Sequence, residues 1–391
     1  MFSPKLKQKL TGFTALLFVL FCLVDPNNAV VGLKMPTFLL FVTSLAISYK
    51  PNFKYSGIIL SLILVSQISV FLCYLEGLSY DAQIQRQYSI FFILLITLLW
   101  SEHIDLSFPL SFAGFVISVL SILGFGAMQF NPEIEDALYL FSISHDQPFF
   151  MGHRTFLGFD FTSFVFMSLP PVFIPAAIHY EKLLYEKKNR GRNLLLTIVY
   201  FFAFFCSGQR AMFLGVFAIL MIIGYPKVKK NKLLQLLVIV FFFIGIYIAY
   251  QAIIDPNSNS TNIKFGHLES YLDLFQSNWD CLIFGMGPGA FFYSKGFGMM
   301  TSLTEWTYIE IVRMYGFVGL FFFACLLLIP LVRHNNKKNP IKYWQSIVLG
   351  YIVFLISCMS DPWLIGSPGL LCILYIYSVV DNPKYKIEKI Q

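Results

Sequence analysis

The sequence predicts an all-α polytopic membrane protein with about 12 transmembrane helices and two larger extracytoplasmic loops, and three observations predict it. Of its 391 residues, 57% are hydrophobic and 13% charged, the mean hydropathy is +0.69, and 44 are phenylalanine, a composition far from the soluble average. The apolar residues fall into long runs. Lys and Arg collect in alternate connectors between those runs.

Taken in order, the runs cover about 10 to 24, 35 to 49, 56 to 75, 88 to 100, 107 to 129, 161 to 179, 193 to 207, 211 to 225, 233 to 254, 306 to 331, 341 to 360 and 363 to 380. Several, notably 88 to 100 and 193 to 207, are shorter than the ~20 residues a straight crossing needs, so flanking polar residues or local thinning must complete them. Residues 1 to 24 have a basic start and an apolar run, but FCLVDPNNAV lacks a small-residue cleavage site. A retained first span is expected. Six of the seven cysteines (Cys22, Cys73, Cys206, Cys325, Cys358 and Cys372) lie inside apolar runs and Cys281 stands alone in a polar loop, which suggests no disulfide framework. The chain reads as one integral membrane domain over 1 to 391.

Placing the N-terminus inside puts 21 of the 28 Lys and Arg in cytoplasmic segments and 15 of the 21 Asp and Glu outside. That is the positive-inside pattern. Both termini are therefore expected in the cytoplasm. The seven basic residues left outside are Lys34, Arg86, Arg154, Arg210, Lys264, Lys295 and Arg313. Arginine offers a planar, permanently charged fork that suits phosphate or pyrophosphate, each charge-assisted bond contributing ~1.5 to 3 kcal/mol. The bland alternative is that each pairs with a nearby carboxylate or snorkels to headgroups.

Two outer connectors carry most of the extracytoplasmic mass. The first, 130 to 160, contains SHDQPFFMGHRTFLGFDF, with His145, Asp146, His153, Arg154 and Asp160 close to the next span. The spacing of His145 and His153 matches no standard zinc pattern, so no metal is expected. Pro148, Gly152 and Gly158 fit a re-entrant or tightly folded segment. The second, 255 to 305, places Leu268, Leu272, Phe275 and Trp279 at i, i+4, i+7 and i+11, one apolar stripe of an amphipathic helix lying on the outer surface.

The stretch from Phe284 to Leu320 packs seven glycines, two glutamates, a lysine and an arginine into the approach to an apolar run. Ionisable groups at a helix mouth cost free energy unless they face a bundle interior or wet cavity, so this stretch is the candidate site. In GMGPGAF, Gly285, Gly287 and Gly289 around Pro288 allow a tight turn and close backbone approach to a ligand, or serve only as a link. Glu305, Tyr308 and Arg313 share a broad helical face. Glu310 and Arg313 stand at i, i+3 and could simply pair. The short hairpin Ser207–Gly208–Gln209–Arg210 holds Arg210 at the outer lip of the bundle, where an anionic partner would offset desolvation.

FGMGPGAF followed by TEWTYIEIVRMYGFVGL resembles the signature region of Wzy-type O-antigen and capsule polymerases, part of a wider polymerase and ligase superfamily. SGQRA at 207 to 211 is similar to that group's arginine hairpin, and HRTFLGFDF at 153 to 161 to its earlier arginine loop. The resemblance spans roughly 150 to 330 and implies a GT-C-like bundle in the bacterial inner membrane. The ligase branch usually has a histidine where the long loop re-enters the membrane; this chain has Thr304 and Glu305 there.

What the resemblance implies is glycosyl transfer from an undecaprenyl-diphosphate-linked glycan, with membrane lipid, a chain-length regulator and a flippase as partners, no cofactor, and no nucleic acid. Arg210 and Arg154 would stabilise the departing diphosphate and Glu305 would take the acceptor proton. Arg86, His153, Gly287, Gly289, Lys295, Tyr308, Glu310 and Arg313 would line the substrate. A ligase or related glycan transferase, and a transporter or flippase, are the alternatives. A transporter would place ionisable residues near the midplane on discontinuous spans, and the central parts of these runs are nearly charge-free.

Overall fold

The structure is a computed structural model describing residues 3–75, 81–156, 159–228, 259–335 and 341–386, with isolated positions at 235, 240, 243 and 247. It is mostly helical, 75%, with little sheet. The helices are α1 (Pro4–Val24), α2 (Lys34–Ser48), α3 (Ser56–Leu75), α4 (Asp81–Leu98), α5 (Ser107–Phe130), α6 (Pro132–Ser144), α7 (Phe173–Tyr185), α8 (Arg190–Cys206), α9 (Arg210–Val228), α10 (Asn259–Ser277), the short α11 (Cys281–Phe284), α12 (Thr307–Asn335), α13 (Trp344–Ser357) and α14 (Ser367–Asp381). Two antiparallel hairpins complete the described chain: β1 (Phe149–Phe156) with β2 (Phe159–Phe166), and β3 (Phe292–Ser294) with β4 (Met299–Thr301).

Five helices among the described residues are long and apolar enough to cross a membrane: Pro4–Val24, Phe53–Leu75, Ser107–Phe130, Arg210–Lys227 and Thr307–Arg333. Three apolar helices are shorter: Lys34–Ser48, Trp344–Ser357 and Ser367–Asp381. The expected ninth span, 233 to 254, lies outside the described residues apart from its isolated positions.

The expected sixth span, 161 to 179, is not one helix. Its first half is strand β2, and the helix starts only at Phe173, after a 3-10 turn at Pro170–Val172. Two consecutive prolines, Pro170 and Pro171, lack the N–H groups a helix interior needs, so the chain can enter a helix there only at its first turn. The tightly folded segment of the first loop is thus a β-hairpin, packed on α5 and α6. Local signals of the ordinary kind set other boundaries. At α1, Ser3 accepts from Leu6 N with Pro4 at the first helical position, and at α6 Asn131 accepts from Glu133 N ahead of acidic Glu133 and Glu135.

The core is centred on α14, all of whose residues are buried. It is apolar on every side, as a helix enclosed by others must be. α1, α4, α12 and α13 pack around it, and the Tyr377 hydroxyl donates to Leu326 O at 2.9 Å. A second tier pairs α7 with α13, α8 and α9, and α5 with α1 and α8.

Contacts sort the helix ends into two sets that match the grouping by charge. At the basic end, buried Asp381 accepts from Lys54, from Tyr55 at 2.6 Å and from Ser101 at 2.8 Å; Asp105 accepts from Lys384 and Tyr385; Glu186 accepts from Tyr343. At the other end, Asn27 donates to Asp146 O, Thr307 to Asp361 O at 2.6 Å, and Lys34 to Pro26 O and Ser367. Lys34 is therefore a buried tie between connectors. Beside it, burial alone would raise the Asp25 carboxyl, but four backbone N–H groups, Ala29 to Gly32, outweigh that and hold it below the usual carboxylate range.

Candidate functional site

The segment from 259 to 316 forms a folded cap on the end of the bundle opposite the basic end. Its helix α10 ends at Ser277, so Trp279 of the expected stripe lies beyond it, and the most deeply packed residues carry polar groups: His267, Ser270 and Tyr271 are buried, whereas Leu272 and Trp279 are 60% and 65% exposed. Leu268 and Phe275 are half-buried. The polar face sits on the β3–β4 hairpin, where Ser270 Oγ accepts from Lys295 N at 2.7 Å and His267 Nδ1 shares a 2.8 Å hydrogen bond with Ser294 Oγ.

Helix α12, expected as one span, is broken at Gly316, whose φ of 68° and ψ of −175° are non-helical. A break frees carbonyls that a membrane-embedded chain must satisfy from elsewhere. The glycine turn does so: Met286 N donates to Arg313 O at 2.7 Å and Gly287 N to Met314 O at 3.0 Å. The approach is so close that a Cβ on Gly316 would lie 2.0 Å from Ile283 O, and one on Gly287 2.5 Å from Ser69 O of α3. These glycines seat backbone against backbone. Gly289 is buried in the same turn.

Above the break lies a buried polar cluster. Arg313 and Glu310 are both fully enclosed. The Arg313 Nε lies 3.1 Å from both Glu310 oxygens, Nη1 donates to Ala290 O at 2.8 Å, Nη2 donates to Ser302 O at 2.7 Å and to Glu310, and the guanidinium lies 4.9 Å from the centre of the Phe292 ring. The Tyr271 hydroxyl donates to Glu310 and bonds Thr304 Oγ1. Burial first, then the Glu310 charge, hold the Tyr271 phenol protonated by raising it well above its usual range. Every direction of the Arg313 fork is thus taken up inside the protein, and the pair clamps residues 290 to 302 over the broken helix.

Around this clamp lie more accessible groups. Glu305, about one-third exposed, pairs with Lys264 at 3.5 Å, and Trp306 Nε1 donates to Lys264 O at 3.0 Å. Lys295 pairs with Asp273 at 2.7 Å and Glu269 at 3.6 Å, and Asp273 raises its ammonium above the usual range. The Tyr308 hydroxyl donates to Leu355 O at 2.9 Å. His267 is fully buried, and among the described residues its Nε2 has no hydrogen-bond partner. Burial lowers its imidazole, against the pull of Glu305 and Glu310.

The remaining sequence candidates stand elsewhere on the same end. His153 lies 3.3 Å from Glu135 and shares a 3.2 Å hydrogen bond with Thr162, its cross-strand neighbour on the β1–β2 hairpin. Arg154 faces Phe161 in the same register and Arg86 falls in α4, but the side chains of both lie outside the described residues. Arg210 is exposed at the start of α9. A Cβ at Gly215 would meet Val353 of α13 at 2.6 Å, which puts Arg210 at the same end of the bundle as Ser357, the Asp361 carbonyl and Thr307.

The structure therefore brings Gly287, Gly289, Lys295, Glu305, Glu310 and Arg313 into one cap, with Tyr308 on its underlying helix, and sets His153 and Arg154 on a separate hairpin. His267 and Tyr271 join the cap without having been singled out by the sequence, and Thr304, noted only as standing where the ligase branch has a histidine, joins it too. The signal for the first two was their i, i+4 spacing on α10 along the flank of the apolar stripe, where the Tyr271 ring stacks 6.1 Å from that of Phe275. Fold and site together define a helical membrane protein with a folded polar cap on one end. A scan against protein-family models finds no match, and no curated protein matches the chain.

Proposed function

We propose that this protein is a glycosyltransferase that polymerises undecaprenyl-diphosphate-linked repeat units of O-antigen or capsule type at the outer face of the bacterial inner membrane. What carries the reading is that the two halves of the signature-like region, FGMGPGAF and TEWTYIEIVRMYGFVGL, pack as one unit through Met286 N, Gly287 N and the carbonyls of the broken helix. Arg210 stands on the same end of the bundle. In this reading about twelve segments cross the membrane, α7 with its 3-10 entry making the sixth, and the basic end faces the cytoplasm.

The acceptor hydroxyl attacks the anomeric carbon of the growing chain, the bond from that carbon to the diphosphate oxygen breaks, and the lipid diphosphate departs with the electron pair. The acceptor proton passes to a carboxylate, for which Glu305 is placed at the loop-to-helix junction and partly open to solvent. Arg210 supplies the charge that the leaving diphosphate needs.

The test is Arg210→Ala. Loss of one or two charge-assisted contacts of ~1.5 to 3 kcal/mol each should slow polymerisation by roughly tenfold to upwards of ten-thousandfold, while Arg210→Lys keeps the charge without the fork and should give shorter or fewer chains. Polysaccharide ladders and the amount of inserted protein are measured together. Normal ladders with the Ala variant, or product loss fully matched by protein loss, would remove Arg210 from the chemistry. Gene loss separates the classes: single repeat units remain on the acceptor without a polymerase, none without a ligase, and a lost flippase traps units inside.

Orientation has its own test. Single cysteines at Asn257 and Gln147 should react with an impermeant thiol reagent in cells whose outer membrane is permeabilised, whereas cysteines at Asn189 and Asn335 should not. Labelling of the second pair would reverse the assignment.

A further inference from the structure

At the basic end of the bundle, far from the cap, a cavity of about 560 Å³ runs between α1, α5, the connector at 102–105 and the C-terminal turn. Its lining changes character along its length. From Gln8 to Leu16 the cavity follows α1 for about 12 Å at 1.5 Å per residue. Gly12, Leu16, Phe41, Phe108 and Pro109 form its apolar side. Phe13 and Phe108 at its side are 61% and 57% exposed, so the slot borders the apolar outer surface of the bundle.

The mouth is polar and rich in donors. Its two carboxylates are already engaged by the protein: Glu102 accepts from Asn52 at 3.0 Å and lies 3.5 Å from Lys54, and Asp105 accepts from Lys384, from Tyr385 at 2.6 Å and from Ser107 at 2.7 Å. Asn382 donates to Ile104 O at 2.9 Å. Gln8, His103, whose ring stacks on Tyr49 at 4.1 Å, and Lys384, which is 57% exposed, also line the cavity. Exposed Lys5 and Lys9 flank Gln8 on α1.

A slot whose apolar side borders the lipid-facing surface, and whose polar side offers an ammonium and neutral donors beside two carboxylates already engaged by the protein, has the chemistry of a phospholipid: an acyl chain on the first side, a headgroup on the second. We infer that this cavity is a phospholipid-binding site, holding one acyl chain along α1 and the headgroup phosphate at Gln8, His103 and Lys384. The inference does not rest on the glycan reading. A resident lipid there would hold α1 and α5 to the C-terminal turn.

Gly12 supplies the test, because a Cβ built on it meets nothing within 4 Å. Gly12→Phe therefore introduces a ring at the slot with no clash at Cβ. Gly57 on α3 is equally open and does not line the cavity, so Gly57→Phe is the control. Full-length protein is purified in mild detergent, exposed to mixed phosphatidylglycerol and phosphatidylethanolamine, and its bound lipid read by native mass spectrometry. Wild type and Gly57→Phe should each retain one phospholipid; Gly12→Phe should lower its occupancy at least fivefold, and Lys384→Ala should weaken retention severalfold. Leu16→Trp, entering from the next turn of α1, replaces Gly12→Phe if the latter does not fold. Equal retention by wild type and the filled variant, or a wild type that retains no lipid, overturns the inference.

Discussion

Arg313→Met is expected to destabilise the protein by about 3–5 kcal/mol, the cost of leaving a buried charge without its partner. Glu310 would remain fully enclosed, with Tyr271 as its remaining donor. The carbonyls of Ala290 and Ser302 would lose the guanidinium that now satisfies them, and each orphaned acceptor adds to the loss. Arg313→Lys keeps a charge but cannot reach Glu310, Ala290 and Ser302 together, so its effect should lie between wild type and Met. The protein carries a convenient reporter. Cys73 and Cys281 are outside any disulfide, buried and part of the small cluster with Met286 and Ala290 beneath the clamp. Thermal unfolding followed with a thiol-reactive dye should show the Met variant melting lower by roughly 4–6 °C. An unchanged midpoint would mean that the clamp does not hold the cap down.

That clamp was partly legible in the sequence. Glu310 and Arg313 stand at i, i+3 at the start of an apolar run, and either a structural pair or a ligand site was open from spacing alone. What decides the geometry is the set of distant partners, Ala290, Ser302, Tyr271 and Thr304, and no local pattern identifies them. Helix α10 shows a different limit. A helix stands where one was expected, although it stops at Ser277, short of Trp279, and hydropathy did not mark His267, Ser270 and Tyr271 as the packed face. In a protein whose surroundings include lipid, apolar residues have two comfortable environments, so an apolar stripe does not say which side of a helix meets the chain. The sixth run shows a signal that was present but outweighed: Pro170 and Pro171 mark a helix start, yet the length of the apolar stretch suggested one continuous span. Charge was the more faithful guide. The Lys-rich connectors gather at one end, where Asp381, Asp105 and Glu186 accept from residues of other connectors.

The break in α12 was invisible for a physical reason, and Gly316→Ala should expose it. The cause of the break lies about 30 residues upstream, in a turn whose backbone approaches the helix at van der Waals contact or closer. Gly316 at φ 68°, ψ −175° occupies a region that is essentially glycine-only, so any side chain costs roughly 1–3 kcal/mol in backbone strain. An added methyl would also lie 2.0 Å from Ile283 O, so the turn must move away. Moving it breaks the Met286 N to Arg313 O and Gly287 N to Met314 O hydrogen bonds, about 1 kcal/mol each, and leaves the freed carbonyls unsatisfied. The combined loss is about 3–5 kcal/mol, enough to reduce the amount of folded protein several-fold. Gly298→Ala separates the two causes. Gly298 also has a positive φ, 67°, but nothing lies within 4 Å of its added Cβ. It should therefore show only the backbone cost. Inserted protein, resistance to limited proteolysis of the 259–305 segment and the melting midpoint are compared for both variants. If Gly316→Ala behaves like Gly298→Ala, the turn does not bear on the broken helix, and the cap that carries Glu305 must be held in some other way.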